Sequence, residues 1–321
     1  MTDKEFELLD LINDNHTLNE ISNILNLSPK QLYHYFTILT NQGYSFTRKY
    51  YYDGSIKYLL NRNLEFNSNV AIITPHDLTK LDLMVISDIH LSSCKERLDL
   101  LDEIYNYCIK HNIHSILIPG DIIDGFFGHL PKKYNTSHEQ IEYCVKTYPF
   151  DKNILNYLVL GNHDYSTLTF YGQDLGKVLY NRRHDMIVTG YGEGKIHIKN
   201  DFIILRHPLK IVKEHNELCS KTLIIKGHTH RFKLWNDHNN CVLYAPTLSD
   251  INNEDVLPGA VHITLDLLNG YIKKCLMRQL TYFKDKFYTT GESEIYIGNG
   301  KPFRGNKEIS YEEDLPKILK K

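Results

Sequence analysis

The 321-residue sequence contains no apolar run near the roughly 18 residues that a membrane-crossing helix needs. A membrane-spanning helix is therefore not expected. The opening decapeptide, MTDKEFELLD, is acidic where a secretory signal is basic and then apolar. The expected location is the cytoplasm. Six cysteines are present (Cys94, Cys108, Cys144, Cys219, Cys241, Cys275), but no C-x-x-C. That spacing excludes a zinc knuckle and points to reduced thiols rather than a disulfide frame. No charge of one sign dominates, since 37 Lys and Arg stand against 39 Asp and Glu. A wholly basic nucleic-acid coat and an acidic solvating tail are both excluded. Alanine occurs only three times, which says nothing about chemistry.

What is present is an ordinary globular composition, 42% hydrophobic and 24% charged, enough to bury a sizeable core. Histidine is the outlier, with 17 residues, and raises the question of metal ligation.

Residues 1–65 read as one unit. Phe6, Leu8, Leu9, Leu11 and Ile12 fall at helical spacing. Thr17 with Glu20 forms a capping box before Ile21, Ile24 and Leu25. Ser28-Pro29 starts a third helix that carries Leu32, Phe36 and Leu39 inward. Tyr44 to Leu60 then reads as a hairpin turning at Asp53-Gly54. Three short helices and a hairpin resemble a winged helix-turn-helix. Residues 1–20 carry one lysine against six acids, whereas residues 21–65 carry five basic residues against two acids. Lys30, Gln31, Tyr33 and His34 would face outward on the third helix, where such types contact phosphates and base edges. DNA is the expected partner of residues 21–65, against a plainer role in dimerisation or protein contact. Residues 66–80 read as a linker, 81–280 as a layered α/β domain, and 281–321 as a C-terminal extension with little core of its own.

Five short apolar runs each end abruptly in polar residues. LDLMVI runs into Ser87-Asp88-Ile89-His90, and ILI into Pro119-Gly120-Asp121 followed by Ile122-Ile123-Asp124. YLVL runs into Gly161-Asn162-His163-Asp164, FIIL into Arg206-His207-Pro208, and LII into Lys226-Gly227-His228-Thr229-His230. Runs of this length suit strands buried on both faces. Ligands of α/β sheets bind beyond the carboxyl ends of strands. In an extended segment, residues i and i+2 point the same way. Asp88 with His90, and His228 with His230, are thus expected to present ligands in pairs.

The ordered set DIH, GDIID, GNHD, RHP and GHTH, across residues 81–268, resembles the calcineurin-like metallophosphoesterase superfamily. The resemblance implies two mixed β-sheets flanked by helices, with two metal ions at the strand ends. It assigns Asp88, His90 and His230 to one metal, and Asn162, His207 and His228 to the other, with Asp121 bridging both. Imidazole, carboxylate and amide donors suit transition metals, Mn first, then Fe, Zn or Ni. The resemblance makes His163 the general acid and gives Asp124 and Asp164 orienting roles. It implies a phosphodiester or phosphomonoester hydrolase in which hydroxide between the metals attacks phosphorus.

Purple acid phosphatases place Tyr where Asp124 stands, and Ser/Thr protein phosphatases follow that position with Arg. Neither pattern is present. DNA-repair nucleases and small-molecule phosphoesterases are more similar. The expected substrate is nucleic acid or a nucleotide. The alternative is a DNA-binding regulator whose phosphoesterase domain senses a nucleotide. Two insertions are expected to set specificity. Residues 125–150 offer Phe126, Phe127, His129, Lys132, Lys133 and Tyr134 to bases and phosphates. Residues 165–184 offer Arg182 and Arg183 as a phosphate clamp.

Overall fold

Three reciprocal caps start the chain. In the computed structural model, which describes residues 1–51, 55–62, 71–75, 77, 79–128, 131–209, 222–236, 240–250 and 256–297, helix α1 spans Asp3–Asn13, α2 Leu18–Ile24 and α3 Pro29–Asn41. The Thr17 backbone N–H donates to Glu20 Oε2 at 2.7 Å, and the Ser28 N–H to Gln31 Oε1 at 2.9 Å. Each bond satisfies a donor that the first helical turn leaves unpaired. Leu8, Ile12, Ile21, Leu32, Phe36 and Leu39 make a small core of their own. Phe6 and Ile24 are exposed. Strands β1 (Phe46–Tyr50) and β2 (Ile56–Leu60) pair antiparallel. The Asp53-Gly54 turn lies outside the described residues. Lys30, Gln31, Tyr33 and His34 are exposed on α3, although Gln31 is engaged in the cap.

Two sheets follow. The larger contains β4 (Lys80–Val85), β5 (Ser115–Pro119), β6 (Leu155–Leu160) and β7 (Met186–Tyr191), all parallel. Antiparallel β13 (Gly259–Leu268), β14 (Tyr271–Phe283) and β15 (Lys286–Tyr296) extend it to seven strands. The other contains β3 (Ala71–Ile73), β8 (Glu193–Ile198), β9 (Asp201–Arg206), β10 (Thr222–Lys226), β11 (Lys233–Asn236) and β12 (Asn240–Tyr244), in the order β11-β12-β10-β9-β8-β3.

Alternation along the strands packs both faces of the larger sheet. Leu83, Val85, Leu117, Tyr157 and Val159 meet Ile196, Ile203, Leu205, Leu223 and Ile225 of the smaller sheet. Met84, Ile116, Ile118, Leu158 and Leu160 meet helices α4 (Leu98–Lys110), α5 (Ser137–Thr147) and α7 (Leu175–Arg182). Both faces exclude water, so these strands read as unbroken apolar runs rather than as alternating ones. Helix α6 (Asn162–Tyr171) starts directly at the end of β6.

Two boundary expectations require correction. Residues 71–73 are not linker but β3, with Ala71 and Ile73 buried and paired parallel to β8. Residues 281–297 are not an extension, because β14 and β15 complete the larger sheet and Ile295 enters the core. Their alternating polar residues face water on one side, as antiparallel strands allow. That pattern hid their buried face.

The N-terminal unit is fastened to helix α6 and the turn that follows it. The Asp174 N–H donates to the Gly43 carbonyl at 2.9 Å, and Gln173 Nε2 to the Gln42 carbonyl at 2.8 Å. The Arg62 guanidinium donates to the Phe170 carbonyl at 2.8 Å. It thereby caps the last turn of α6, whose carbonyls have no partner within the helix.

Candidate metal centre

The five polar strand ends meet at one end of the sandwich. Three belong to the larger sheet (β4, β5, β6) and two to the smaller (β9, β10). Asp88, His90 and His230 present ligand atoms within 4.8 Å of one another, and so do Asp121, His207 and His228. The Asn162 Oδ1 lies 3.0 Å from His207 Nε2 and 3.1 Å from His228 Nδ1. A third such group, His90, Asp124 and His163, overlaps the first. All seven expected metal ligands and all three expected catalytic residues therefore lie together.

The local backbone differs from the extended arrangement expected. Asp88, His90, Asp121, His228 and His230 have φ values of 51°, 50°, 55°, 74° and 60°. Asp and His tolerate this left-handed region better than most residues, yet each such position costs about 1–3 kcal/mol. The surrounding hydrogen bonds hold them there. The Asp88 N–H donates to the Gly120 carbonyl, and the N–H groups of Ile89 and His90 both donate to the Asp121 carbonyl. The Thr247 and Ser249 hydroxyls donate to the Asp88 carbonyl at 2.8 and 3.1 Å. Neither was foreseen, since P-T-L-S after an apolar strand has no chemical signature. Two glycines make room. A Cβ at Gly161 would lie 2.2 Å from Asp121 Oδ1, and one at Gly120 would lie 2.3 Å from His207 Nδ1.

The ring nitrogens have defined roles. A carbonyl can only accept, so the 2.7 Å contact of His207 Nδ1 with the Pro119 carbonyl places a proton on Nδ1 and aims Nε2 at the site. His163 is fixed in the same way, with Nδ1 2.6 Å from the Asp124 carbonyl. Its Nε2 takes no part in that bond. The Asp124 carboxylate lies 3.5 Å from His90 Nδ1 through Oδ1 and 2.7 Å from Lys132 Nζ through Oδ2. Asp164 accepts from the backbone N–H groups of Ile122, Ile123 and Gly161 at 3.0, 3.0 and 2.8 Å. It thus ties the second motif to the third.

The electrostatics are those of a crowded, dry site. Burial works to raise the Asp88 and Asp121 carboxyls, but the neighbouring histidines outweigh it and hold both below the ordinary range. Burial works to lower His207, but Asp121, Asp88 and the Pro119 carbonyl lift it to about 9. Burial, with Asp121 beside it, pushes Asp164 up to about 7 against its backbone donors. Burial lowers His163 and His228.

These residues fit a divalent transition metal. Among the described residues, both ring nitrogens of His90 and Oδ2 of Asp121 are buried without an aligned hydrogen bond. Orphaned buried polar atoms carry a cost of about 1–3 kcal/mol each. Donors of imidazole, carboxylate and amide type in one cluster suit Mn, Fe, Zn or Ni.

Not every expected residue reaches this place. Arg183 is buried, with Nη2 2.6 Å from Asp185, and donates to the carbonyls of Val145, Tyr148 and Pro149. Arg182 pairs with Glu142. The expected phosphate clamp is therefore a structural brace between α5 and α7. A buried guanidinium needs such partners. Lys133 pairs with Glu96 at 2.6 Å. His129 lies outside the described residues.

A largely buried cluster of imidazoles and carboxylates at converging strand ends fits a metal-dependent phosphoester hydrolase. The profile of the calcineurin-like phosphoesterases matches residues 81–264, and the chain belongs to that family. Among solved structures, it is similar to Yfce, a phosphoesterase from E. coli, at 16% identity and a TM-score of 0.44, covering 68% of this chain and all of that one. It is similar to vacuolar protein sorting 29 from Cryptosporidium parvum at 14% identity and a TM-score of 0.44, covering 68% and 99%. An archaeal phosphodiesterase has 14% identity and a TM-score of 0.40, covering 63% and 100%. No curated protein matches the chain. Among the described residues, no helix is long and apolar enough to cross a membrane.

Proposed function

We propose that the chain hydrolyses phosphodiesters with two divalent metal ions, Mn²⁺ foremost, and that its substrate is a nucleic acid or a nucleotide. The observation that carries this reading is the pair of ligand clusters, Asp88/His90/His230 and Asp121/His207/His228. Asn162 belongs with the second, and Asp121 is the shared carboxylate. Cations held there supply Lewis acidity to the phosphoryl oxygens and lower the pKa of water.

The chain's own residues do the rest. His163, with Nδ1 tied to the Asp124 carbonyl, delivers a proton from Nε2 of its imidazolium form to the departing oxygen, and the proton shed by the attacking water restores that form. One P–O bond breaks, one forms to the oxygen of water, and one water is consumed. Asp124 steadies His90 through its carboxylate and His163 through its carbonyl. Lys132 balances its charge. Asp164 fixes the turn that bears Asn162 and His163. Asp124→Asn is expected to weaken Mn²⁺ binding about 10- to 100-fold, the usual cost of losing a carboxylate behind a histidine ligand. Isothermal titration of the metal-stripped protein would measure it.

The N-terminal unit, as a winged helix-turn-helix, would hold the enzyme on DNA. The exposed Lys30, Tyr33 and His34 support this reading. The test measures hydrolysis of bis-p-nitrophenyl phosphate, p-nitrophenyl phosphate and labelled single- and double-stranded DNA, with Mn²⁺. Deleting residues 1–65 would uncover α6, so substitutions on α3 serve better. Diester and DNA hydrolysis, with DNA cleavage alone reduced in Lys30→Ala and His34→Ala, is the expected result. Hydrolysis of small esters without DNA cleavage would overturn the polymer reading. Hydrolysis of the monoester alone would overturn the phosphodiesterase.

A further inference from the structure

Beside His163 stands a group of exposed aromatic rings that the metal chemistry does not use. The Phe127 ring meets the His163 ring edge-on, with centroids 5.9 Å apart, and Phe170 meets Phe127 edge-on at 5.8 Å. Phe126 packs on Tyr171 at 4.4 Å. Phe127, Phe170 and Tyr171 remain 38%, 50% and 44% exposed. Large apolar rings left in water side by side mark a binding surface more often than a scattered surface residue does.

These rings are held in place. The Phe126 N–H donates to Ser166 Oγ at 2.8 Å, the Gly125 N–H donates to Gln140 Oε1 at 2.9 Å, and Arg62 holds the Phe170 carbonyl at 2.8 Å. A surface already fixed before binding loses little entropy when a ligand arrives.

We infer that Phe127 and Phe170 form the leaving-group subsite, and that the substrate is a phosphodiester whose departing alcohol carries a nucleobase. The inference rests on His163 as the acid of the proposed reaction. A departing oxygen within hydrogen-bond reach of His163 brings whatever is attached to it against Phe127, the ring packed on His163. Among the described residues, the nearby cations are engaged elsewhere, Lys132 by Asp124 and Arg62 by backbone carbonyls. The surface therefore selects a flat apolar group rather than a further phosphate. Stacking on an aromatic side chain tolerates any base, because every base has a π-face.

The test uses the full-length protein with Mn²⁺ and three substrates: thymidylyl-thymidine and its two analogues in which one base or the other is replaced by hydrogen. Product identification shows which alcohol departs. The base-bearing dinucleotide is expected to exceed the analogue abasic on the leaving side by roughly tenfold or more in kcat/KM, the range that stacking on one ring provides. In Phe127→Leu/Phe170→Leu that ratio is expected to fall toward one, and Phe127→Tyr/Phe170→Tyr to restore it. A ratio near one in the wild type, or one unchanged by the leucines, overturns the subsite while the phosphodiesterase stands. So does hydrolysis of bis-p-nitrophenyl phosphate with no dinucleotide cleaved. If no diester is hydrolysed, the phosphodiesterase reading falls, and the subsite with it.

Discussion

Asp121→Asn is expected to abolish turnover and metal-dependent stabilisation together. Asp121 is buried in the cluster with His207 and His228, with Oδ2 3.0 Å from His207 Nε2 and Oδ1 accepting the His163 N–H at 3.0 Å, and is the carboxylate we propose the two metals share. An amide keeps the shape and can still accept the His163 N–H, so the fold should persist. It cannot supply the negative charge that two neighbouring cations require. A ligand at 100 times its Kd stabilises a protein by about 2.7 kcal/mol. Wild-type Tm should therefore rise on titration with Mn²⁺, while the Asn variant should show little rise and activity reduced by about 10³-fold or more. Calorimetry with and without metal reads the first, and initial rates read the second. A variant that kept the metal-induced rise in Tm would remove Asp121 from its proposed place.

His163→Ala is expected to do the opposite, keeping the metals and losing the chemistry. The side chain is fixed through Nδ1 by the Asp124 carbonyl. Loss of a general acid typically costs 10²–10⁴-fold. The loss should depend on the leaving group. p-Nitrophenolate departs without help, so bis-p-nitrophenyl phosphate should lose about tenfold at most, whereas a dinucleotide with an alkoxide leaving group should lose about 10³-fold. Metal content by elemental analysis should match the wild type. Equal losses on both substrates would mean that His163 does not protonate the departing oxygen. Loss of metal would make it a ligand, which its group with His90 and Asp124 would then explain.

Much of the centre was legible because ligand chemistry is local to the residue. Asp, Asn and His after short apolar runs were visible at five places, and all five runs are strands, although β9 alternates buried with half-buried residues and so is not buried on both faces. The backbone at those places was not legible. The expected i, i+2 alternation assumed extended chain, whereas Asp88, His90, His228 and His230 are left-handed. Their conformation is imposed from elsewhere: Ser249, which holds the Asp88 carbonyl, is 161 residues away. The Arg182-Arg183 pair misled because a guanidinium beside a polar site and one bracing two helices look alike in sequence. Burial alone separates them. The end of β14 and the edge strand β15 were missed because half of each faces water.

By itself, then, the sequence determined which atoms are available: seven candidate metal-ligand side chains, one histidine beside them, and the strand ends that bear them. Only the tertiary structure decided that ends of two different sheets meet, with ligand atoms within 4.8 Å, and that Phe127 and Phe170 lie beside His163. The physical reason is range. Donor type is fixed by each side chain, but convergence depends on strand register and on sheet packing through a shared apolar core, which join residues far apart in the chain.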